Sequence, residues 1–481
     1  MTKVRAFVRG ELVDGPTVSF GSGATSFQAV DPALLAGRIT LTDPVLLNDV
    51  HQLTTDEIVD LLAEVGSRLV LDRNELLAES LELLRPFSNL TDGVLRATYE
   101  QIPSLFEAET VRAVAERTIG TAYLDGWVDH GRGRVRAFGA RAVHVIAGNN
   151  PIIAAITVVR NAICRGDGII KLPANDPFTA VAIARTMAGV APEHPLVRHL
   201  SVAYWKGGDE DFERRLYLPS QLEKIVAWGG FASVRHVTGY LQPGLELIAL
   251  DPKLSATVIG PEALADEETM RRTAFLAAAD VGLLNQEGCF NARVIYLAAG
   301  LDSAGIERAN RWGELVHAEL SRLPERVSAP AYRFDPALRA DIQALRTSPD
   351  WYRVIGGSTD EGAVIVSQSS EPVDFQMTLS GRVVNVVPVA DPLEAVRAMN
   401  TYTQTVGVYP ESLKLKIRDT APLYGVQRLV PLGFATHFRP ELPQDAIEPT
   451  RRMMRWIVDE EPPPGAHPFD QLAPGAAVMT P

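Results

Sequence analysis

Between residues 54 and 118 the apolar positions recur three and four apart, as in "TTDEIVDLLAEVGSRLVL" and "ETVRAVAERTIG". That spacing puts one greasy face on each segment and predicts a layer of helices. Thr54 and Glu57 stand at the distance of a capping box where the layer opens. Before it, the first fifty residues read as short strands and turns around "GELVDG" and "FGSGATS".

After the layer the pattern changes. "WVDHGRGRVRAFGARAVHVIAG" reads as a hairpin feeding a buried strand. Short apolar strands then alternate with helical stretches: "AVHVIAG" with "PIIAAITVVRNAIC", "GIIKLP" with "PFTAVAIARTMAGV", "KIVAWGG" with "FASVRHVTGYL". Such alternation predicts a parallel, doubly wound α/β sheet whose strand ends bind ligands. A second unit is expected from Pro261, opened by the helix "EETMRRTAFLAAADVG" and continued by strands at "ARVIYLA", "GAVIVSQ" and "RVVNVVPV". The expected division is 1–260, 261–435 and 436–481, the last holding a helix and a Pro-rich flexible tail.

Composition narrows the function. Apolar residues make up 46% and the net charge is −13, which disfavours a nucleic-acid surface. The longest apolar stretch, "VHVIAGNNPIIAAITVVRNAI", is broken by Gly, Asn and Pro, so no membrane span is expected. The N-terminus has no apolar signal-peptide core, and the two cysteines, 125 positions apart, make neither a metal motif nor a disulfide framework. A cytoplasmic protein with free thiols is the expectation.

Four places could carry chemistry, each with a plain structural alternative. Cys164 reads as a small core residue, whereas Cys289 lies in "NQEGCFNA", among polar residues before a strand. It is either a packed thiol or a nucleophile whose own N–H aims at an oxyanion. Asn149, at the strand end in "AGNNP", either caps the following helix or donates to that oxyanion. Lys171, in "GIIKLPAND", is either solvated or in reach of a ribose or phosphate. Gly229 and Gly230 form a tight turn or admit a pyrophosphate to a helix N-terminus.

Taken in order, these segments resemble the aldehyde dehydrogenase superfamily, and within it the LuxC-like acyl-CoA reductases. The carrying stretches are "HVIAGNNPIIAAITVVRNAICRGDGIIKLPANDPFTA", "VAWGGFASVRHV", "DPKLSATVIG", "NQEGCFNARVIYL", "TQTVGVYP" and "DAIEPTRRMMRWIVDE", within residues 140 to 460. The resemblance implies a Rossmann-like cofactor domain, an α/β catalytic domain and a small oligomerisation hairpin near 120–140. It makes Cys289 the nucleophile and Asn149 the oxyanion donor. Cofactor contacts would come from Ala147, Gly148, Lys171, Ala174, Gly229 and Gly230.

The implied reaction is reduction of an acyl-CoA or other acyl thioester to an aldehyde by NADPH, with NADH as a second option. A homo-oligomer, and an acyl-carrier or acyl-transferase partner, also follow from it. The water-activating Glu of hydrolytic relatives maps to Ala249, with Glu246 three residues earlier, and the glutamate that holds the nicotinamide ribose maps to Thr378. Oxidation of an aldehyde, or acyl transfer without redox chemistry, are the competing readings.

Overall fold

The computed structural model describes residues 2–251 and 253–466. Its helical layer is Thr55–Arg68, Glu75–Leu84, Asp92–Gln101 and Ala108–Thr118, and the Thr54–Glu57 capping box is present. Leu62, Val65, Leu77, Val94 and Val111 are fully buried. They pack with the helices Ile152–Ile163 and Thr179–Val190 in one core. Each such side chain contributes about 1.5–3 kcal/mol by leaving water.

Those two helices cover the first of two seven-stranded sheets. Its parallel part runs in the order Glu246–Leu250, Lys224–Trp228, Arg141–Val145, Asp167–Lys171, Leu200–Ala203. The antiparallel strands Ala6–Val8 and Glu11–Val13 extend it. Strand order reverses beside Arg141–Val145, because the next strand in sequence lies on one side and Lys224–Trp228 on the other. Val145 is in register with both Lys171 and Ala227, so three strand ends line up at this switch point.

The second sheet runs Tyr352–Gly356, Ala363–Ser367, Val383–Pro388, Ala292–Leu297, Leu254–Ile259, Thr403–Tyr409, Arg428–Pro431, parallel except at the first pair. Leu254–Ile259 belongs here, so the chain crosses between sheets just after Leu250 rather than at 260. The C-terminal helix expected within 436–481 is a single turn, Pro449–Arg452, followed by the strand Met454–Glu460. Val458 and Ile457 find backbone partners only on a distant hairpin, which a local pattern does not reveal. That strand pairs along its whole length with Gly133–Gly139, and Val128–Asp129 completes a three-stranded sheet. The expected flexible tail lies, from residue 467, outside the described residues. No helix among the described residues is long and apolar enough to cross a membrane.

Candidate active site

The helix Glu267–Gly282 ends seven residues before Cys289, and the chain between them is unusual. Leu284, Asn285 and Gln286 all adopt left-handed backbone angles, with φ of 56°, 54° and 66°. Each costs about 1–2 kcal/mol for a residue with a Cβ. Hydrogen bonds hold the turn in place. Leu284 N donates to Val327 O at 2.9 Å and Asn285 Nδ2 to Ala329 O at 3.0 Å. The Gln286 amide pairs with both backbone groups of Val383, at 2.8 and 2.9 Å, as a neighbouring strand would.

Beyond the turn, Gly288 N donates to Asn291 Oδ1 at 2.9 Å. A Cβ on Gly288 would lie 2.4 Å from the Phe290 ring and 2.8 Å from Asn291 Oδ1, so a larger residue there would have to displace those side chains. The Cys289 carbonyl accepts from Ser255 Oγ at 2.7 Å. Ser255 is the bulged residue of its strand, and its hydroxyl also accepts from Thr405 N at 3.1 Å, where the regular ladder is interrupted. The loop that carries Cys289 is thus tied to the amino ends of three strands of the second sheet.

Cys289 is solvent-accessible, while Cys164 is buried against Thr450 with its thiol pushed up to about 12 by burial. The Cys289 sulfur nevertheless sits deep within the surrounding protein. Burial pushes its thiol up to about 11; Asp445 adds to the rise, and Gln404, the Cys289 N–H and Arg293 oppose it. The accessible surface decides whether a substrate reaches the sulfur, and the protein mass around it decides its ionisation. Burial and Asp445 thus outweigh the groups that favour the thiolate in the free protein.

Asn149 lies on the opposite lobe, four residues past the strand Arg141–Val145. Its Nδ2 donates to Glu287 O at 2.7 Å, and its buried Oδ1 has no partner. One amide hydrogen is committed and the other is free, beside the loop that carries Cys289. Gly148 packs closely: a Cβ there would meet Asn175 Oδ1 at 2.3 Å. Ala147 is half-buried and Ala174 exposed on the same edge.

Lys171 lies over the Trp205 and Tyr204 rings, 5.6 and 6.0 Å from their centroids. Burial lowers its pKa to about 8, with Glu213 opposing. Glu213 is itself fully buried, accepting from Trp205 Nε1 and Gly208 N at 3.1 Å and Tyr240 OH at 3.0 Å, with His236 Nε2 at 2.6 Å. Gly230 opens the helix Phe231–Thr238, and nothing lies within 4 Å of where its Cβ would be. A Cβ on Gly229 would lie 3.1 Å from the Ser233 side chain. Beside this helix a cavity of about 430 Å³ is lined by Phe231, Arg235, Asp251 and Tyr402, at the seam between the lobes.

Glu246 is not a displaced water-activating base. It is at the amino end of its strand, paired with Lys224 and with Arg452 at 2.8 Å. Ala249 faces Ala227 within the sheet, and Thr378 Oγ1 bonds to Phe375 O. Two residues near the sulfur, Gln404 and Asp445, carried no assigned role in the sequence reading. Both stand within stretches that carry the resemblance, "TQTVGVYP" and "DAIEPTRRM".

Two lobes, each built on a largely parallel sheet with the cysteine loop between them, make this an aldehyde dehydrogenase fold. The aldehyde dehydrogenase KauB from Pseudomonas aeruginosa superposes with a TM-score of 0.71 at 15% identity, over 95% of this chain and 96% of that one. An NADP-dependent glyceraldehyde-3-phosphate dehydrogenase from Bacillus halodurans C-125, complexed with NADP, gives 0.67 at 14%, over 96% and 100%. Residues 50–456 match the family described as acyl-CoA reductase (LuxC), and the chain belongs to that family. It is 25% identical over 420 residues to the long-chain acyl-protein thioester reductase of Aliivibrio fischeri, covering 86% of this chain and 84% of that one. The Vibrio harveyi protein of the same name is 27% identical over 352 residues, 73% and 70% of the two chains. The protein is an oxidoreductase of the acyl and aldehyde group.

Proposed function

We propose that the protein reduces a fatty acyl thioester, acyl-CoA in the first instance, to the aldehyde with NADPH. The observation that carries this reading is the Asn149–Glu287 bond, which brings the amide donor of one lobe against the cysteine loop of the other. Cys289 Sγ attacks the thioester carbonyl, forming a new C–S bond. Asn149 and the Cys289 N–H stabilise the oxyanion, and the carrier thiolate leaves. The dinucleotide, when bound, supplies the hydride that reduces the acyl-cysteine. Release of the aldehyde then returns Cys289 as thiolate.

The strand-end edge fits a dinucleotide. Lys171 offers a cation, Gly230 an open helix N-terminus, and Ala147 and Gly148 a backbone without bulk. The ion-paired Glu246 and the methyl of Ala249 supply no base for water, which favours thioester chemistry over oxidation of an aldehyde to an acid. The relatives' name points to an acyl-protein as an alternative carrier, and so to an acyl-carrier or acyl-transferase partner. The edge strand Met454–Glu460 exposes Ile457 and Val458, a surface suited to a second copy of the chain in a homo-oligomer.

The test is NADPH consumption by the purified protein across acyl-CoA lengths, with aldehyde trapping and labelled acyl groups. Aldehyde formation that the Cys289→Ala variant loses, together with its acyl label, supports the reading. Acyl labelling without NADPH consumption overturns it in favour of an acyl-transfer component. Brisk acid formation from aldehyde and NAD+ without CoA overturns it in favour of a dehydrogenase.

A further inference from the structure

A second cavity, of about 320 Å³, is lined by Asn89, Glu287, Ala331, Arg333, Phe334 and Ser380. Asn89 belongs to the helical layer of the first lobe and the others to the second lobe, so this cavity too lies on the seam. Among the described residues it shares no lining with the cavity beside Phe231–Thr238. Glu287 joins it to the site, being two residues before Cys289 and accepting from Asn149 Nδ2 at 2.7 Å through its carbonyl. The wall over 327–336 is fixed at both ends. Val327 and Ala329 accept from Leu284 N and Asn285 Nδ2 at 2.9 and 3.0 Å, and Arg333 donates to Pro86 O in the helical layer. A cavity held in this way is formed before a ligand arrives, which lowers the ordering cost of binding.

The lining selects the occupant. Phe334 and Ala331 supply apolar surface, while Asn89, Glu287, Ser380 and the adjoining Asp335 supply donors and acceptors. A fatty chain here would take the Glu287 carboxylate out of water with no hydrogen bond in return. A dinucleotide would bring further negative charge against Glu287 and Asp335, and the volume is close to the lower bound of small-molecule sites, about 300 Å³. A slender, neutral chain rich in amides meets neither objection. We propose that this cavity seats the phosphopantetheine arm on which the thioester is carried, its amides between Asn89 and Glu287 and its phosphate at Arg333. The arm's N–H groups donate to the Glu287 carboxylate, and Asn89 Nδ2 donates to its carbonyls. Its methylenes lie on Phe334 and Ala331. Arg333 is exposed and has donors beyond the one used on Pro86 O, so it meets the phosphate from the solvent side. The arm is common to CoA and to a phosphopantetheinylated carrier protein.

The inference rests on a thioester being the substrate, but its test reads binding without turnover, so the two can fail separately. Calorimetric titration of the full chain with 4′-phosphopantetheine, with NADPH present to fill the dinucleotide edge, measures the arm alone. The parent should bind it, and Ala331→Phe, which fills the cavity, should weaken it by about tenfold or more while leaving the Kd for NADPH unchanged. Arg333→Ala should weaken phosphopantetheine by about tenfold and pantetheine, which has no phosphate, much less. Titration with CoA and with a phosphopantetheinylated carrier protein then names the source, as the tighter of the two whose affinity Ala331→Phe also lowers. No binding of the arm by the parent, or equal binding by parent and Ala331→Phe, would overturn the proposal. Should Ala331→Phe fail to fold, Asn89→Ala at an exposed position decides: a clear loss of affinity supports the seat and its absence sinks it. Binding of the arm without aldehyde formation would remove the proposed function and leave the seat standing.

Discussion

Asn149 of the first lobe donates its side-chain amide to the carbonyl of Glu287, two residues before Cys289, across the seam between the sheets. The contact orients the amide so that its second hydrogen is available where an acyl oxyanion would form. Replacing Asn149 by Ala should lower kcat by about a hundredfold or more while leaving substrate KM nearly unchanged. Steady-state kinetics with acyl-CoA checks this, and an intact kcat would remove Asn149 from the oxyanion site.

Lys171 should make dinucleotide binding depend on pH. With its pKa lowered to about 8, it is charged at pH 7 and mostly neutral at pH 9. The Kd for NADPH should therefore rise by about tenfold over that interval, because a cation facing phosphate or ribose is lost as pH rises. Lys171→Arg stays charged and should flatten the dependence. Fluorescence titration of NADPH against both proteins measures it; parallel curves would show that Lys171 does not meet the cofactor.

Gln286 carries the left-handed turn by imitating a strand edge against Val383. Gln286→Ala removes that pairing and leaves the Val383 backbone groups without a partner. A loss of about 2–4 kcal/mol is expected in urea unfolding. Reduced acyl-enzyme formation should accompany it, since the loop that aims the sulfur would no longer be held.

Glu213 is the buried hub under Lys171, touching Trp205, Gly208, His236 and Tyr240. Glu213→Ala should cost about 3–5 kcal/mol, because several buried donors lose their acceptor at once. Glu213→Gln should cost less, since it retains an acceptor oxygen. Chemical denaturation of the two variants separates them; equal stability to the parent would mean that water replaces the carboxylate.

Much of this was legible from the residues. Helical spacing marks the layer over 54–118, and the strand–Gly–helix rhythm marks the first sheet, because both patterns are local. At Gly288 a Cβ would crowd Phe290 and Asn291, a physical reason for the glycine in "EGC". The strand Met454–Glu460 was not legible: "MRWIVDE" follows a proline-led helical turn, and its partner is some 300 residues earlier. Gln404 and Asp445 were missed for the same reason. Neither has a motif of its own, and only folding brings the strand Thr403–Tyr409, the loop at 445 and the cysteine together.

The pairing of Gly133–Gly139 with Met454–Glu460 also bears on biogenesis. A nascent chain can assemble most of its first lobe while still tethered to the ribosome, but this small sheet must wait for a segment synthesised more than three hundred residues later. Until then the hairpin presents an open hydrogen-bonding edge, a place where a chaperone or a sister chain could intervene.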